Sequence, residues 1–497
     1  MKKFVRLASL VLALLMMASV LVACSPDDKG NDKVTGSGED TVATTEAATE
    51  AVVASKLPEK NFGGAEYRIL GTDATTPVFE NFEVDRAEMP SDVVGVAVWT
   101  RNEALKAKYG LDVVGTFNAF PDNVAKISLD SGDDLYDLII CKGWRMEEFA
   151  KEGQLVNLAN LNYIDFENDC WIDYAIEQMT FGGRLYYGTN KFLLADKHRT
   201  WAIWYNRELA RELNVGYLES EVFEGTWTID RVAEIAKTCA GEVDGGEGMT
   251  SGDRWGLILS SPANWVPIAY GSGFRVSDKG VDDYPVMIGA TDQMLSIVDK
   301  VFDITTDMST VFLAFTRPTA DENNASTSDI WIGGRGVLYT HCISFSDNLF
   351  NVYFEYGVLP MPKWTAEQEK YFCFPDTGNG VLFAVPSTVS DIEKAGFGLQ
   401  ALSEESVETS YKDYIDTKCQ FQLSYDEDMA KCFALVFDSV VYDIGFVNNY
   451  GEVGDYLLWH MMQDEFDNVY ARIWQKNEKR AGVQIKRLKE AYEALPY

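Results

Sequence analysis

Tyr136-Asp137-Leu138-Ile139-Ile140-Cys141, running on through Lys142-Gly143-Trp144-Arg145 to Gly153, decides the architecture. An apolar run this short and this continuous reads as a strand buried on both faces, the kind found in parallel sheets covered by helices. Upstream of it the signals alternate. Residues 66–70 form a short strand after Gly63-Gly64, and 92–109 a helix closed by Gly110 at the C-cap position. Residues 111–114 are the next strand, and a helix over 122–131 leads into the quoted run. Downstream, 145–151 is a short helix ended by Gly153. This βαβαβα order predicts an α/β fold with a mostly parallel sheet flanked by helices.

The theme continues toward the C-terminus. A helix over 228–238 has Thr228 as N-cap, Asp230 in the first turn where the dipole favours negative charge, and Trp227 placed to staple against Val232. Strands are predicted at 336–340 and 380–385, and Ser390-x-x-Glu393 reads as a capping box opening another helix. Residues 466–495 are amphipathic, with a break expected near 477–482. There is no internal repeat.

A chain of 497 residues has room for about two to four domains. With 46% hydrophobic and 24% charged residues, most of it can bury a core. Acidic residues number 77 against 43 basic ones, a net charge of -34. That balance disfavours nucleic acid as a partner, because phosphate binding needs basic patches. It equally disfavours docking on anionic lipid through a basic surface. Aromatic residues make up 13%, including 12 Trp, more than cores alone require.

The N-terminus speaks to compartment. Lys2, Lys3 and Arg6 precede an apolar stretch, 7–23, shorter than the about 20 residues of a spanning helix and typical of a secretory signal. Its end, Leu21-Val22-Ala23-Cys24, resembles the bacterial lipobox, which implies a lipid-modified Cys24 as mature N-terminus and a protein on the extracellular face of the cell membrane. Residues 24–58 then read as a disordered tether, poor in apolar groups and with an r.m.s. reach of about 30 Å. Of the eight cysteines, Cys24 is assigned to lipid. Cys141, Cys170, Cys239, Cys342, Cys373, Cys419 and Cys432 remain: an odd set without a Cys-x-x-Cys pair, implying neither a disulfide framework nor a zinc site.

Several further motifs stand in one order. They are Gly153-Gln154-Leu155-Val156-Asn157-Leu158, Gly183-Arg184-Leu185-Tyr186-Tyr187-Gly188, Trp204-Tyr205-Asn206-Arg207-Glu208-Leu209 and Thr226-Trp227-Thr228-Ile229-Asp230. Trp255-Gly256-Leu257, Gly333-Gly334-Arg335-Gly336-Val337-Leu338 and Leu359-Pro360-Met361-Pro362 follow. Together with 136–140 and 380–405, this succession resembles the family 1 extracellular solute-binding proteins, the sugar-capturing lipoproteins of ABC importers in Gram-positive bacteria. Gly188-Thr189-Asn190, where many members have a proline-ended strand, and the acidic, glycine-rich insertion 241–253 depart from the pattern.

The resemblance implies a two-lobed periplasmic-binding-protein-like fold (type II), α/β in each lobe, with crossing strands between them. The expected path is a signal at 1–23, the tether at 24–58, lobe 1 at 59–200, lobe 2 at 201–328, lobe 1 again at 329–378 and lobe 2 again at 379–497 with C-terminal helices. It also implies a carbohydrate, of oligosaccharide size, as the small-molecule solute. The implied protein partner is the permease of an ABC transporter, with the membrane reached through Cys24. A monomer without cofactor or metal is expected. The alternatives are a sensing subunit for a membrane kinase, and a non-sugar solute such as a peptide or amine.

A sugar offers an apolar face to an aromatic ring and a rim of hydroxyls to Asp, Asn, Arg and Glu. Trp144 and Arg145 follow the buried strand at its carboxyl end, where α/β proteins place ligands. Arg145 also matches a ligand-contacting arginine of the sugar-binding relatives. The competing reading of Trp144 is packing beneath its own helix. In the crossing strand 200–205, alternation puts either Trp201 or Trp204 toward the cleft and the other in the core, and Trp201 is favoured. Trp265 follows a loop at the lobe 2 rim, with helix packing as its competing role. Tyr442 and Asp443 offer ring and carboxylate together. Trp227, Trp459 and Trp474 are assigned to packing.

No catalytic pattern accompanies these residues. Gly-x-Ser-x-Gly, His-Glu-x-x-His and the P-loop are missing, and the three histidines, His198, His341 and His460, are far apart in sequence. The chain is therefore read as a binding protein, not an enzyme. The acidic loop 241–253 lacks the spacing of an EF-hand.

Overall fold

The computed structural model describes residues 55–75, 80–86, 88–313, 326–376, 381–455, 461 and 467–495. The signal segment, Cys24, the tether up to residue 54, Trp459 and His460 lie outside the described residues. The last residues of the expected tether, 55–58, have no helix or strand, and Lys56 pairs there with Asp165 at 2.9 Å.

The quoted run forms its strand within the expected alternation. β1 (Ala65–Thr72) leads to α1 (Val93–Tyr109), whose N-cap Asp92 accepts from the Gly95 N–H. Gly110 ends that helix at φ 62°, a conformation in which a Cβ would be strained. β2 (Leu111–Asn118), α2 (Pro121–Ser131), β3 (Leu138–Lys142) and α3 (Gly143–Lys151) follow. β1 runs parallel to β2, with Ala65 opposite Leu111, and to β3, with Ile69 opposite Leu138. Leu138, Ile139, Ile140 and Cys141 are all buried, as a strand covered on both faces must be.

The chain then builds a second sheet. β4 (Trp201–Asn206), α4 (Ile229–Cys239), β5 (Trp255–Leu259), α5 (Trp265–Gly271) and a hairpin of β6 (Ser277–Lys279) and β7 (Pro285–Met287) come first. α6 (Asp292–Thr305), β8 (Val311–Leu313), β9 (Gly336–Cys342) and β10 (Tyr356–Leu359) follow. The strand order is β10-β4-β9-β5-β8, with β5 parallel to β8 and β9 and β4 antiparallel to β9 and β10. β11 (Val381–Ala384) returns to lie antiparallel on β3, so the first sheet reads β11-β3-β1-β2.

This path corrects the expected lobe assignment. Residues 329–378 were expected in lobe 1, yet β9 is the strand that joins β4 to β5 in lobe 2, and β10 is that sheet's edge. The segment from 379 was expected in lobe 2. Instead β11 and α7 (Ile392–Ser406) belong to lobe 1, where Gly398 lies so close to the Tyr67 ring that a Cβ would sit 2.3 Å from it.

Two local signals also resolve differently. α7 is capped by Asp391, which accepts from the Lys394 N–H, while the Ser390 hydroxyl turns to Asp134. Beyond it, π-helical turns at Val407–Tyr411 and Asp413–Gln422 lead to α8 (Glu427–Asp438), and α9 (Ile444–Val447) follows. α10 (Tyr470–Ala494) is unbroken through 477–482, where a break was expected. Asn477 and Ala481 pack against Gly451, whose missing Cβ leaves room for the Asn477 carbonyl, and that contact outweighs the weak propensity of Gly482.

The core divides as the sheets do. Trp204, Trp227, Trp255, Trp265 and Trp331 centre the lobe 2 core, and Ile69, Ile140, Phe149 and Phe383 belong to that of lobe 1. α10 contributes Tyr470 and Trp474 to the former and Leu488 and Tyr492 to the latter.

Candidate functional site

Three extended segments run side by side between the sheets. The Trp201 N–H donates to the Phe374 carbonyl at 2.9 Å, and the Asp376 N–H to that of Arg199 at 3.1 Å. On the other side of Cys373, its N–H donates to the Ser439 carbonyl at 2.7 Å, and its own carbonyl accepts from Val441 at 3.0 Å. β4 begins where one such segment ends, and β11 follows another in sequence. Trp201, the first residue of β4, is paired with Cys342 at the carboxyl end of β9, and Val381 with Lys142 at the carboxyl end of β3. Both sheets therefore turn the carboxyl ends of their parallel strands toward the crossing, the place where open α/β sheets hold ligands.

Trp144 stands at that edge in lobe 1. It is 41% exposed in the first turn of α3, and the Arg145 guanidinium lies 4.7 Å from its ring centre. Arg145 is tied to Glu148 at 2.5 Å, which leaves its planar fork partly occupied. In lobe 2, Trp201 is 9% exposed, with its ring 6.0 Å from that of His341. Trp204 is the core member of the pair, packed edge-on against Phe345, Tyr356 and Phe433.

The other candidates are engaged elsewhere. Trp265 has no exposed surface; every position of α5 is buried, so its first residue belongs to the core and packs edge-on against Phe302. Trp265 is thus a core residue and not a cleft residue. Asp443 is buried, and its carboxylate accepts from Tyr270 Oη at 2.7 Å, Val276 N at 2.6 Å, Ser277 Oγ at 2.8 Å and Gly445 N at 3.1 Å. With both oxygens occupied it has no capacity left for a solute. Tyr442 is buried with its hydroxyl donating to Asp196.

Charged residues unremarked in the sequence gather at the crossing. Arg199 pairs with Asp376, and Asp196, Arg199, Asp376, Leu382, Tyr442 and Val447 surround a cavity of about 20 Å³. That is room for one water, far below the about 300 Å³ of a ligand pocket. The cavity belongs to the hinge and is too small for cargo. An open groove of about 550 Å³ at 55–61, against Lys108 and Tyr109, is remote from the crossing. The signal that could have marked the hinge is Asp196-Lys197-His198-Arg199, a charged block one residue before a largely apolar strand that is buried throughout.

Burial sets the electrostatics here. It holds His341 down to about 4, against the nearby Cys342 carbonyl, and lowers His198 despite Asp347 at 3.5 Å. Burial also works against the charge on Arg199, but the Asp376 carboxylate paired with it more than offsets this, so the guanidinium lies above its ordinary value. The Tyr442 phenol is pushed well above its ordinary value by burial and then by Asp196.

Among the described residues no cluster of three or more acidic, histidine or cysteine side chains is placed to hold a metal. In the acidic loop, Asp253 accepts from the N–H groups of Val243, Asp244 and Thr250, so that carboxylate is used by its own backbone. The seven described cysteines are buried and unbridged.

Two α/β lobes joined by crossing segments, with strand ends facing the crossing, define a two-domain periplasmic-binding-protein-like fold. Among solved structures, the chain is similar to UspC of M. tuberculosis, at 13% identity and a TM-score of 0.54 over 84% of this chain and 99% of that one. It is similar also to UgpB from Mycobacterium tuberculosis in complex with glycerophosphocholine, at 15% identity and a TM-score of 0.51 over 79% and 95%. A cyclo/maltodextrin-binding protein complexed with maltotetraose gives 14% and 0.50 over 87% and 98%. At these identities the likeness is one of fold. No protein-family model and no curated protein matches the sequence.

Proposed function

We propose that this chain is an extracellular solute-binding protein, anchored by lipid on Cys24, that captures a carbohydrate between its lobes and delivers it to an ABC-transporter permease. The observation that carries this reading is the opposed pair of sheet edges across an extended hinge, with the half-exposed ring of Trp144 at one edge. Such a hinge lets the lobes close around a ligand and so display its capture to a membrane partner. Among the fold neighbours, one holds maltotetraose, a carbohydrate, and another glycerophosphocholine, a polar molecule with a glycerol end. A net charge of -34 disfavours anionic cargo, which suits a neutral sugar. The family 1 resemblance and the lipobox supply the importer and the anchor.

A thermal-shift screen tests the reading. The chain from residue 25 onward is melted with neutral mono- and oligosaccharides, amino acids, peptides and phosphate. A solute that binds only the folded state raises Tm with the logarithm of its concentration over Kd. A shift with one glycan class, and the glycan recovered intact, is the expected result. A response confined to peptides or amines would replace the cargo, and cleavage of the glycan would make the protein an enzyme.

A further inference from the structure

The β6–β7 hairpin belongs to lobe 2 by chain connection but ends in lobe 1. Its base is fixed at the crossing, where Asp443 accepts from the Val276 and Ser277 N–H groups and the Ser277 hydroxyl. Its tip reaches the Phe181–Arg184 turn. There Tyr284 stacks on Phe181, ring centres 6.2 Å apart and planes at 18°, and is only 4% exposed. The turn is shaped to receive it, since a Cβ on Gly182 would lie 2.7 Å from the Tyr284 hydroxyl. Lys279 Nζ donates to the Thr180 carbonyl and pairs with Asp283 at 2.6 Å, and Asp282 pairs with Lys489 of α10 at 2.7 Å.

One atom is out of place in this contact. The Tyr284 hydroxyl is buried without a hydrogen-bond partner. A hydroxyl in that state costs free energy of the same order as the buried ring gains. The Asp282–Lys489 pair is partly exposed and adds little, the Lys279–Asp283 pair lies within the hairpin, and the Lys279–Thr180 bond replaces one to water at a small net gain. The contact is therefore poised near balance, and its hydroxyl regains water when it parts. We propose that Tyr284 is a clasp between the lobes, kept weak by its own hydroxyl so that the open and closed forms remain exchangeable. This rests on the reading that the lobes close around a solute. A first ligand-free bias toward the closed form would raise apparent affinity in proportion to the closed fraction.

The test needs no cargo. Spin labels are placed through Ile127→Cys in lobe 1 and Phe350→Cys in lobe 2, which are 67% and 83% exposed, in the chain from residue 25, where the seven native cysteines are buried. Pulsed distance measurements on the unliganded protein should show two separations. Tyr284→Phe, which removes only the unpaired hydroxyl, should raise the closed-to-open ratio about ten-fold. Tyr284→Ala, which removes the ring, should shift it the other way. Opposite shifts support the clasp. Unchanged distances in both variants, or shifts in one direction, overturn it, whatever the solute screen shows. A failed solute screen with opposite shifts would instead remove the cargo and leave the clasp.

Discussion

Trp144 and Trp265 look alike in the sequence, each opening a helix after a buried strand, and the structure separates them. Trp144→Ala should weaken solute binding by about 1–3 kcal/mol while leaving Tm near that of the parent, because the ring is half outside the core. Trp265→Ala should do the reverse, costing about 3–5 kcal/mol of stability through the cavity it opens beside Phe302. Titration calorimetry and denaturant unfolding on both variants check the pair. A stability loss at Trp144 without an affinity loss would place its ring in the packing. What distinguishes them is the rest of the helix. α3 keeps partly exposed positions at Arg145, Glu148 and Lys151, whereas α5 has none, and that depends on the strands laid over it. Local pattern carries residue type and period, not the number of layers above a helix. Asp443 was misread for the same reason, since apart from Gly445 the groups it accepts from lie more than a hundred positions away, in Tyr270, Val276 and Ser277.

At the scale of elements, the first six, β1 to α3, were legible because each strand pairs with a sequence neighbour or its next-but-one, and each helix ends at a glycine or turn that its own chemistry marks. The strands at 336–342 and 381–384 were legible as strands, but not which sheet each joins. That choice is made by register with partners far off in sequence, Trp255 to Leu259 for β9 and Ile139 to Lys142 for β11. Asp443 shows how such distant elements are held. It caps α9 and, through Val276 and Ser277, fixes the base of the hairpin. Asp443→Ala would leave the buried Val276 and Ser277 N–H groups and the Tyr270 hydroxyl unpaired. It should cost at least about 2 kcal/mol. Asp443→Asn, which keeps one carbonyl oxygen, should recover part of that. Urea unfolding midpoints check both, and an Asp443→Ala protein as stable as the parent would mean that the hairpin base is held by something else.

At the scale of the whole molecule, acid acts on this protein in two opposing ways. Protonation of its carboxylates relieves the self-repulsion of a chain with a net charge of -34, which favours the compact state. The hinge responds in the other direction. His341 is packed among Trp201, Tyr339 and Phe345, and burial lowers its pKa to about 4, below the about 6.5 of an unfolded histidine. Between those two values the unfolded chain binds a proton that the folded chain does not. The stability contributed is fully present above about pH 6.5 and is lost as pH falls toward 4, by up to about 1.4 kcal/mol per pH unit. His198 is lowered as well and adds to the loss in the same sense. Asp347, held down to about 2 by His198 and Lys418 against the opposing effect of burial, extends the loss to lower pH. A single melting curve against pH mixes all of these with the relief of repulsion. The difference between the parent and His341→Phe isolates one, because the variant keeps a ring in the same aromatic company, with nothing left to titrate. The difference should be flat above pH 7 and change steadily from 6.5 to 4 in favour of the variant, measured as unfolding free energy at each pH. A difference that stays constant through that window would mean that the folded hinge already takes up the proton, and that His341 opens to solvent at the edge facing the cleft.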